Sequence, residues 1–242
     1  MTRSPAALVP ALVAVAVAPL AALAPQPETI AAWHRYVAGA TPQLHECGTS
    51  CCHSMPVGQA IDVAGGSIHH WKGSMLVRRT TVDRVVNTLM YPGTPPPQED
   101  VLESRVLGRH GDTIRVYLKL ARSAVVTVVY DTEHTVTFRR QSPTLATSRS
   151  ISTKIAEAGG GDRGFLWRLN SYWRYSRSGE DVRVDLESIS LGRDVPWFVR
   201  SVAAPIINRI ARESMARTLT SVRRFLQGES TTVDVGSACS TS

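Results

Sequence analysis

Hydrophobic residues recur at helical spacing in three segments of the chain. The first segment is Glu28–Ala40 and the second is Thr80–Met90. The third follows Pro205, where apolar residues recur every three or four positions over about 20 residues. Gly228 ends this stripe, as glycine often does after a helix. The pattern therefore predicts two short helices and one long amphipathic C-terminal helix.

Alternating or continuous apolar runs between these helices predict β-strands. Ser67–Val77 is one strand, and a series of strands follows the proline-rich loop at 91–97. The series is Val101–Gly108, Thr113–Leu120, Ala124–Asp131, Glu133–Arg140, Leu145–Glu157, Phe165–Tyr175 and Val182–Leu191. Such a meander leaves one face of an antiparallel sheet in need of cover. The predicted fold class is therefore α+β, with a curved antiparallel sheet wrapped around the C-terminal helix.

The charge of the chain limits its partners. The 242 residues fit one domain, and their net charge is +7. A basic surface favours anionic partners such as a membrane surface. The arginines are scattered, however, and no run of five basic residues forms an arm for nucleic acid. We expect a monomer that binds no nucleic acid.

The N-terminal residues have the three parts of an export signal. Arg3 supplies positive charge, Ala6–Ala24 is nearly all Ala, Val and Leu, and Ala22-Leu23-Ala24 offers a small-residue cleavage site. The sequence therefore predicts export to the periplasm or the cell exterior, with a membrane anchor if the signal is retained. The predicted divisions are a signal at 1–24, an N-terminal helix and cysteine-containing loop at 25–63, the main domain at 64–228, and a disordered tail at 229–242.

Three of the four cysteines, Cys47, Cys51 and Cys52, lie within six residues. In an exported chain this cluster favours a disulfide staple. A metal site that also uses His45 or His53 is the alternative, although the spacing matches no standard zinc pattern. We predict disulfide candidates at these three cysteines, no metal and no cofactor.

Three stretches carry a resemblance to a known fold family. They are Ile68-His69-His70-Trp71, then Gly164-Phe165-Leu166-Trp167-Arg168-Leu169-Asn170-Ser171-Tyr172-Trp173-Arg174, and Glu187-Ser188-Ile189-Ser190-Leu191 running on to Arg193-Asp194-Val195-Pro196. They resemble a group of uncharacterised exported bacterial proteins in the START-like (SRPBCC, helix-grip) superfamily. That superfamily includes lipid-transfer domains, polyketide cyclases and plant hormone-binding proteins. The resemblance implies an internal cavity for an apolar ligand and carries over no activity.

Ten residues are candidates to line such a cavity. They are His70, Trp71, Trp167, Arg168, Asn170, Tyr172, Trp173, Arg174, Glu187 and Met215. Alternation over Phe165–Tyr175 places the tryptophans on one face and the polar side chains on the other. Either the polar face is the solvated outer face, or it lines the cavity. In the second case Arg168 or Arg174 would bind a carboxylate or phosphate of the ligand.

Two functions follow for the predicted cavity, and a metal-binding or redox role for the cysteine-containing loop is a third. The first is binding or carriage of a hydrophobic, lipid-like small molecule in the cell envelope. The alternative is a polyketide cyclase or hydrolase-like enzyme that uses a polar pair in the same cavity, such as His70 with Glu187. The sequence contains neither a Gly-x-Ser-x-Gly nucleophile motif nor a phosphate-binding glycine loop. We therefore favour binding and assign no catalytic residue.

Overall fold

The computed structural model describes residues 24–40, 56–92, 101–123, 127–160, 165–193 and 197–228. The helices in these ranges are α1 (Pro27–Ala40), α2 (Val82–Met90) and α3 (Trp197–Gln227). The strands are β1 (Val57–Val63), β2 (Gly66–Val77), β3 (Val101–His110), β4 (Thr113–Ser123), β5 (Thr127–Ser142), β6 (Leu145–Glu157), β7 (Arg168–Ser178) and β8 (Asp181–Arg193).

These strands form one antiparallel sheet in the order β1-β2-β8-β7-β6-β5-β4-β3. Consecutive strands pair from β3 to β8, and β8 then returns to pair with β2 along its whole length. The sheet is curved and open, and α3 is the C-terminal helix that accompanies it. The predicted α+β fold class is confirmed.

Helix α3 packs directly on β2 because Gly73 leaves room for it. A Cβ atom on Gly73 would lie 2.8 Å from Leu219 Cδ1 and 3.2 Å from Met215 Sδ. We call the face of the sheet that carries Gly73 the inner face. Helix α2 covers the same face, since its Val85 and Val86 are buried with Met75 and Met215 in one cluster. The main hydrophobic core therefore lies on the inner face.

Helix α1 covers the opposite face, which we call the outer face. Its Trp33 is buried with Ile68 of β2 and with Ile189 and Leu191 of β8. The Thr29 hydroxyl donates a hydrogen bond to the Ala64 carbonyl in the β1–β2 turn. The sheet is thus sandwiched, near β2 and β8, between α1 on one side and α3 on the other.

Two differences from the predicted strands concern β1 and β5. Strand β1 was not predicted because it is an edge strand whose exposed, partly polar residues lack an apolar alternation. The sheet consequently begins at Val57, ahead of the predicted domain start at 64. Strand β5 is continuous where two strands were predicted, because Asp131 and Thr132 pair with Lys119 and Leu118 of β4 instead of turning.

Several predictions concern residues outside the described ranges. The predicted signal up to residue 23, all four cysteines and the tail from residue 229 are among them. Disulfide pairing, signal cleavage and tail disorder therefore stay predictions. Within the described part of the chain, no helix is long and apolar enough to cross a membrane.

Candidate functional site

The ten predicted site residues divide between the two faces of the sheet. Trp71, Trp173 and Met215 lie on the inner face, in the core that α2 and α3 cover. The register places the others on the outer face: His70, Trp167, Arg168, Asn170, Tyr172, Arg174 and Glu187. Because the sheet separates the two groups, they do not form the single cavity lining that the sequence predicted.

The polar side chains of β7 lie on the outer face of the sheet. This agrees with the first of the two predicted arrangements, in which the polar face is not the cavity lining. Asn170 and Tyr172 are nevertheless buried instead of solvated, since Tyr172 belongs to the cluster around Trp33 of α1. The Asn170 amide donates a hydrogen bond of 3.1 Å to the Tyr172 hydroxyl. Neither Arg168 nor Arg174 faces the inner side, so the predicted contact with a ligand carboxylate or phosphate has no counterpart there.

Trp167 was predicted to share a face with Trp173, and this was wrong. Strand β7 begins at Arg168, so the alternation of the strand does not extend to Trp167. Its indole instead lies against Gly66 on the outer face, where a Cβ on Gly66 would come within 3.3 Å of Trp167 Cζ3. The error came from the predicted strand boundary at Phe165.

His70 and Glu187 do meet, and they do so beneath α1. His70 Nε2 lies 2.5 Å from Glu187 Oε1, and the two residues are 7% and 2% exposed. With a neutral imidazole, Nε2–H donates to the carboxylate and Nδ1 accepts from the Tyr36 hydroxyl at 2.6 Å. Lys72 Nζ is 3.2 Å from the same Glu187 oxygen. This outer cluster links α1 to β2 and β8.

Tyr36 is the member of the outer cluster that comes from α1. Burial raises the pKa of its phenol, while a hydrogen bond with Gln59 of β1 acts in the opposite direction. The phenol is therefore a hydrogen-bond donor at neutral pH. Since the imidazole has one partner on each ring nitrogen, the cluster is suited to holding the helix on the sheet.

A row of serines crosses the inner face at one register. Ser188 of β8 is the direct neighbour of Trp71 of β2, and it is followed across the sheet by Ser171 of β7 and Ser150 of β6. His134 of β5 extends the row, since its Nδ1 lies 3.4 Å from the Ser150 hydroxyl. With strands roughly 4.8 Å apart, the row spans roughly 19 Å from β2 to β5. We call Ser150, Ser171, Ser188 and His134 the polar band.

The polar band separates two apolar regions of the inner face. On one side is the main core, with Leu186 and Trp173 next to the band. On the other is a smaller cluster of Leu120, Val128 and Tyr130, against which Leu169 packs. Along the inner face, the polar band thus lies between two hydrophobic clusters.

The serines of the band keep part of their surface exposed, although they lie on central strands of the sheet. Ser150, Ser171 and Ser188 are all half-buried, as is Trp173 beside them. A central position that faces the helices would be fully buried if α2 and α3 filled the space over it. The described side chains of α2 and α3 therefore leave part of this inner-face surface uncovered.

Two buried nitrogens at the β2 end of the band have no hydrogen-bond partner in the described part of the chain. They are Trp71 Nε1 and His69 Nδ1. The two residues are two positions apart on β2 and so share the inner face. Burial lowers the pKa of the His69 imidazole, against the attraction of Asp62. A buried polar group without a partner costs about 1–3 kcal/mol. A bound acceptor would offset this cost for the indole N–H, which can only donate.

Three solved structures with a similar arrangement of strands and helices are two lipid transfer domains and one aromatase/cyclase. One is a STAR-related lipid transfer protein fragment from Xanthomonas axonopodis, with 18% identity and a TM-score of 0.49 over 72% of this chain and 99% of that one. Another is the human StarD13 lipid transfer and protein localization domain, with 14% identity and a TM-score of 0.45 over 84% and 99%. The third is the Zhui aromatase/cyclase of a Streptomyces species, with 12% identity and a TM-score of 0.43 over 66% and 94%.

The chain has a START-like fold. This assignment rests on its own strand order, register and C-terminal helix. No protein family description matches the sequence, and no curated protein matches it either.

The inner-face residues of this START-like fold were mostly missed from the sequence. Ser150, Ser171, Ser188 and His134 were not among the ten candidates, although two of them lie in the quoted stretches. Serine is common in strands and turns, and nothing local marks these three as neighbours. Only the pairing of β6 with β7 and of β7 with β8 aligns them.

His134 makes the stability of the START-like domain depend on pH. It is 3% exposed, and burial lowers its pKa from 6.5 to about 4. Between these values the unfolded chain binds a proton that the folded chain does not, so acid favours unfolding. The stabilisation is complete above pH 6.5 and is lost as the pH falls towards 4. We expect this group alone to lower the free energy of unfolding by on the order of 3 kcal/mol over that window.

Urea denaturation at pH 7.5 and pH 4 measures this effect. In the His134→Gln variant the loss of stability on acidification should be smaller than in the wild type by that amount. The His110→Gln variant, which changes an exposed residue at the end of β3, is the control and should follow the wild type. An equal loss in wild type and His134→Gln would contradict the assignment of a neutral, buried His134.

Proposed function

We propose that this protein binds and carries an amphipathic, lipid-like small molecule on the inner face of its sheet, in the cell envelope. The observation that carries the proposal is the row of three half-buried serines in the polar band, on central strands between two hydrophobic clusters. A ligand with apolar parts at both ends and a polar group between them would match the two hydrophobic clusters and the polar band. Binding sites for small molecules are commonly apolar with a few well-placed polar groups.

The apolar regions supply the driving force for such binding. Trp173 on one side of the band and Leu169 on the other are partly exposed, and they offer surface that a hydrocarbon chain can cover. Each square ångström of apolar surface removed from water contributes roughly 25 cal/mol. The hydroxyls of the band then fix where along the face the polar group of the ligand lies.

The enzymatic alternative, a polyketide cyclase or hydrolase-like activity, requires a pair of titratable groups beside the bound molecule. His70 and Glu187 form such a pair, but on the outer face beneath α1. On the inner face His134 contacts two hydroxyls, those of Thr132 at 3.1 Å and Ser150 at 3.4 Å. Among the described residues, the His134 imidazole is thus held by hydroxyl groups and not by a carboxylate. Because the inner face lacks a pair of this kind at His134, we favour binding over catalysis.

The envelope location is part of the proposal and is supported by the N-terminal sequence. The apolar Ala6–Ala24 segment after Arg3 has the order of an export signal. The net charge of +7 favours approach to an anionic membrane surface, from which a lipid-like ligand is available.

Titration with the neutral fluorescent probe 1-N-phenylnaphthylamine tests the proposed site. A Ser171→Phe variant fills the space over the band, and we expect its affinity for the probe to fall by about tenfold or more. Ser176→Phe is the matched control, because Ser176 lies on the same strand and faces the outer side opposite Arg183. Both variants are checked for folding by circular dichroism. The proposal fails if the wild type does not bind the probe, or if both variants bind it as the wild type does.

A further inference from the structure

We propose that the ligand carries an uncharged oxygen acceptor, such as a hydroxyl, ketone or ester group, which takes a hydrogen bond from the Trp71 indole. This inference rests on the proposed function and specifies the chemistry of its ligand. It departs from the prediction that an arginine would bind a carboxylate or phosphate.

The first observation is the Trp71 indole itself. The residue is 4% exposed, and its Nε1 has no hydrogen-bond partner in the described part of the chain. An indole N–H can only donate, so an acceptor is the one kind of partner it can take. Trp71 lies beside Ser188 at the β2 end of the polar band. An acceptor on a ligand that follows the band would come within reach of it.

The second observation is the lack of charge around the band. On β6, β7 and β8, the inner-face side chains two residues to either side of each serine are all uncharged. They are Ser148, Ser152, Leu169, Trp173, Leu186 and Ser190. At the β5 end, burial keeps the His134 imidazole neutral above its lowered pKa of about 4. The band therefore offers hydroxyl groups and neutral rings to whatever binds.

An anionic head group in this setting would be unfavourable. A carboxylate or phosphate that leaves water without a paired cation costs several kcal/mol. The guanidinium carbon of Arg212 on α3 lies 5.8 Å from the centre of the Trp71 indole ring. Arg212 is exposed to solvent, so pairing with it would not fully compensate the desolvation of an anion. An uncharged acceptor avoids the desolvation cost and satisfies the indole.

Two probes with the same hydrocarbon chain separate the charged from the uncharged head group. We would titrate the full chain at pH 7.5 with cis-parinaric acid and with its methyl ester, following probe fluorescence. The ester is expected to bind about tenfold more tightly, or better. If the acid binds as tightly as the ester, the inference is wrong and the proposed function stands. If neither probe binds, both the inference and the proposed function are contradicted.

Trp71→Phe tests the role of the indole N–H while keeping an aromatic ring. We expect the affinity for methyl parinarate to fall about fivefold to tenfold, as for one lost hydrogen bond, with little change for 1-N-phenylnaphthylamine, which has no oxygen acceptor. Trp167→Phe is the matched control, since Trp167 Nε1 is also buried and unpartnered but lies on the outer face. Equal effects of the two substitutions on the ester, or none from Trp71→Phe, would overturn the assignment.

Discussion

Replacing His70 with leucine is expected to lower the free energy of unfolding by about 3–5 kcal/mol, since the substitution breaks a buried charge-bearing pair. Among the described residues, the Glu187 carboxylate, which is 2% exposed, would keep Lys72 as its one ionic partner, and Lys72 is half in solvent. Tyr36 would also lose the nitrogen to which its hydroxyl is bonded. Urea denaturation at pH 7.5, followed by far-ultraviolet circular dichroism, gives the value.

A second substitution shows whether the loss of stability comes from the Glu187 carboxylate that is left buried without its histidine partner. The double variant His70→Leu with Glu187→Leu removes both polar groups and replaces them with apolar side chains. Replacing a whole buried pair in this way is often neutral or stabilising. We therefore expect the double variant to recover most of the loss. A single variant within about 1 kcal/mol of the wild type, or a double variant less stable than the single, would contradict this description of the outer cluster.

Replacing Trp33 with alanine is expected to cost about 3–5 kcal/mol, the usual range for removing a buried tryptophan. Trp33 packs against Ile68, Ile189 and Leu191 and is 3% exposed. Its removal would weaken the contact between α1 and the sheet and admit water towards His70 and Glu187. Hydrogen exchange should then speed up in α1 more than in α3.

The control for this prediction is His34→Ala, one position along the same helix. His34 is exposed, and substitutions at exposed positions usually change stability by less than about 0.5 kcal/mol. If Trp33→Ala and His34→Ala have equal effects on stability, or if exchange in α1 is unchanged by Trp33→Ala, the outer face is not closed by α1 in the way described.

The fold class could be predicted from the sequence because it depends on local periodicity. The alternation along β7 correctly separates Trp173 from Arg174, and the apolar stripe after Pro205 correctly indicates a long helix. The sequence could not show which face of β7 lies inside. That depends on where α1 and α3 pack, and these helices are far from β7 in the chain.

The candidate site was harder to predict because its residues meet only through strand register. His70 and Glu187 are 117 positions apart, and their pairing follows from the alignment of β2 with β8. The sequence suggested this pair correctly but placed it in the cavity. Ser150, Ser171 and Ser188 are spaced along three strands, and only the hairpin registers bring them into one row.

Native mass spectrometry of the gently purified full chain, combined with lipid extraction, tests the central claim most directly. The proposed function predicts a discrete adduct with the mass of one lipid-like molecule, which the Ser171→Phe variant retains less than Ser176→Phe does. Extraction then identifies the head group, which is expected to be uncharged. A bare protein mass that remains bare after incubation with vesicles of phosphatidylcholine and neutral lipid would contradict the claim that the inner face binds such a ligand.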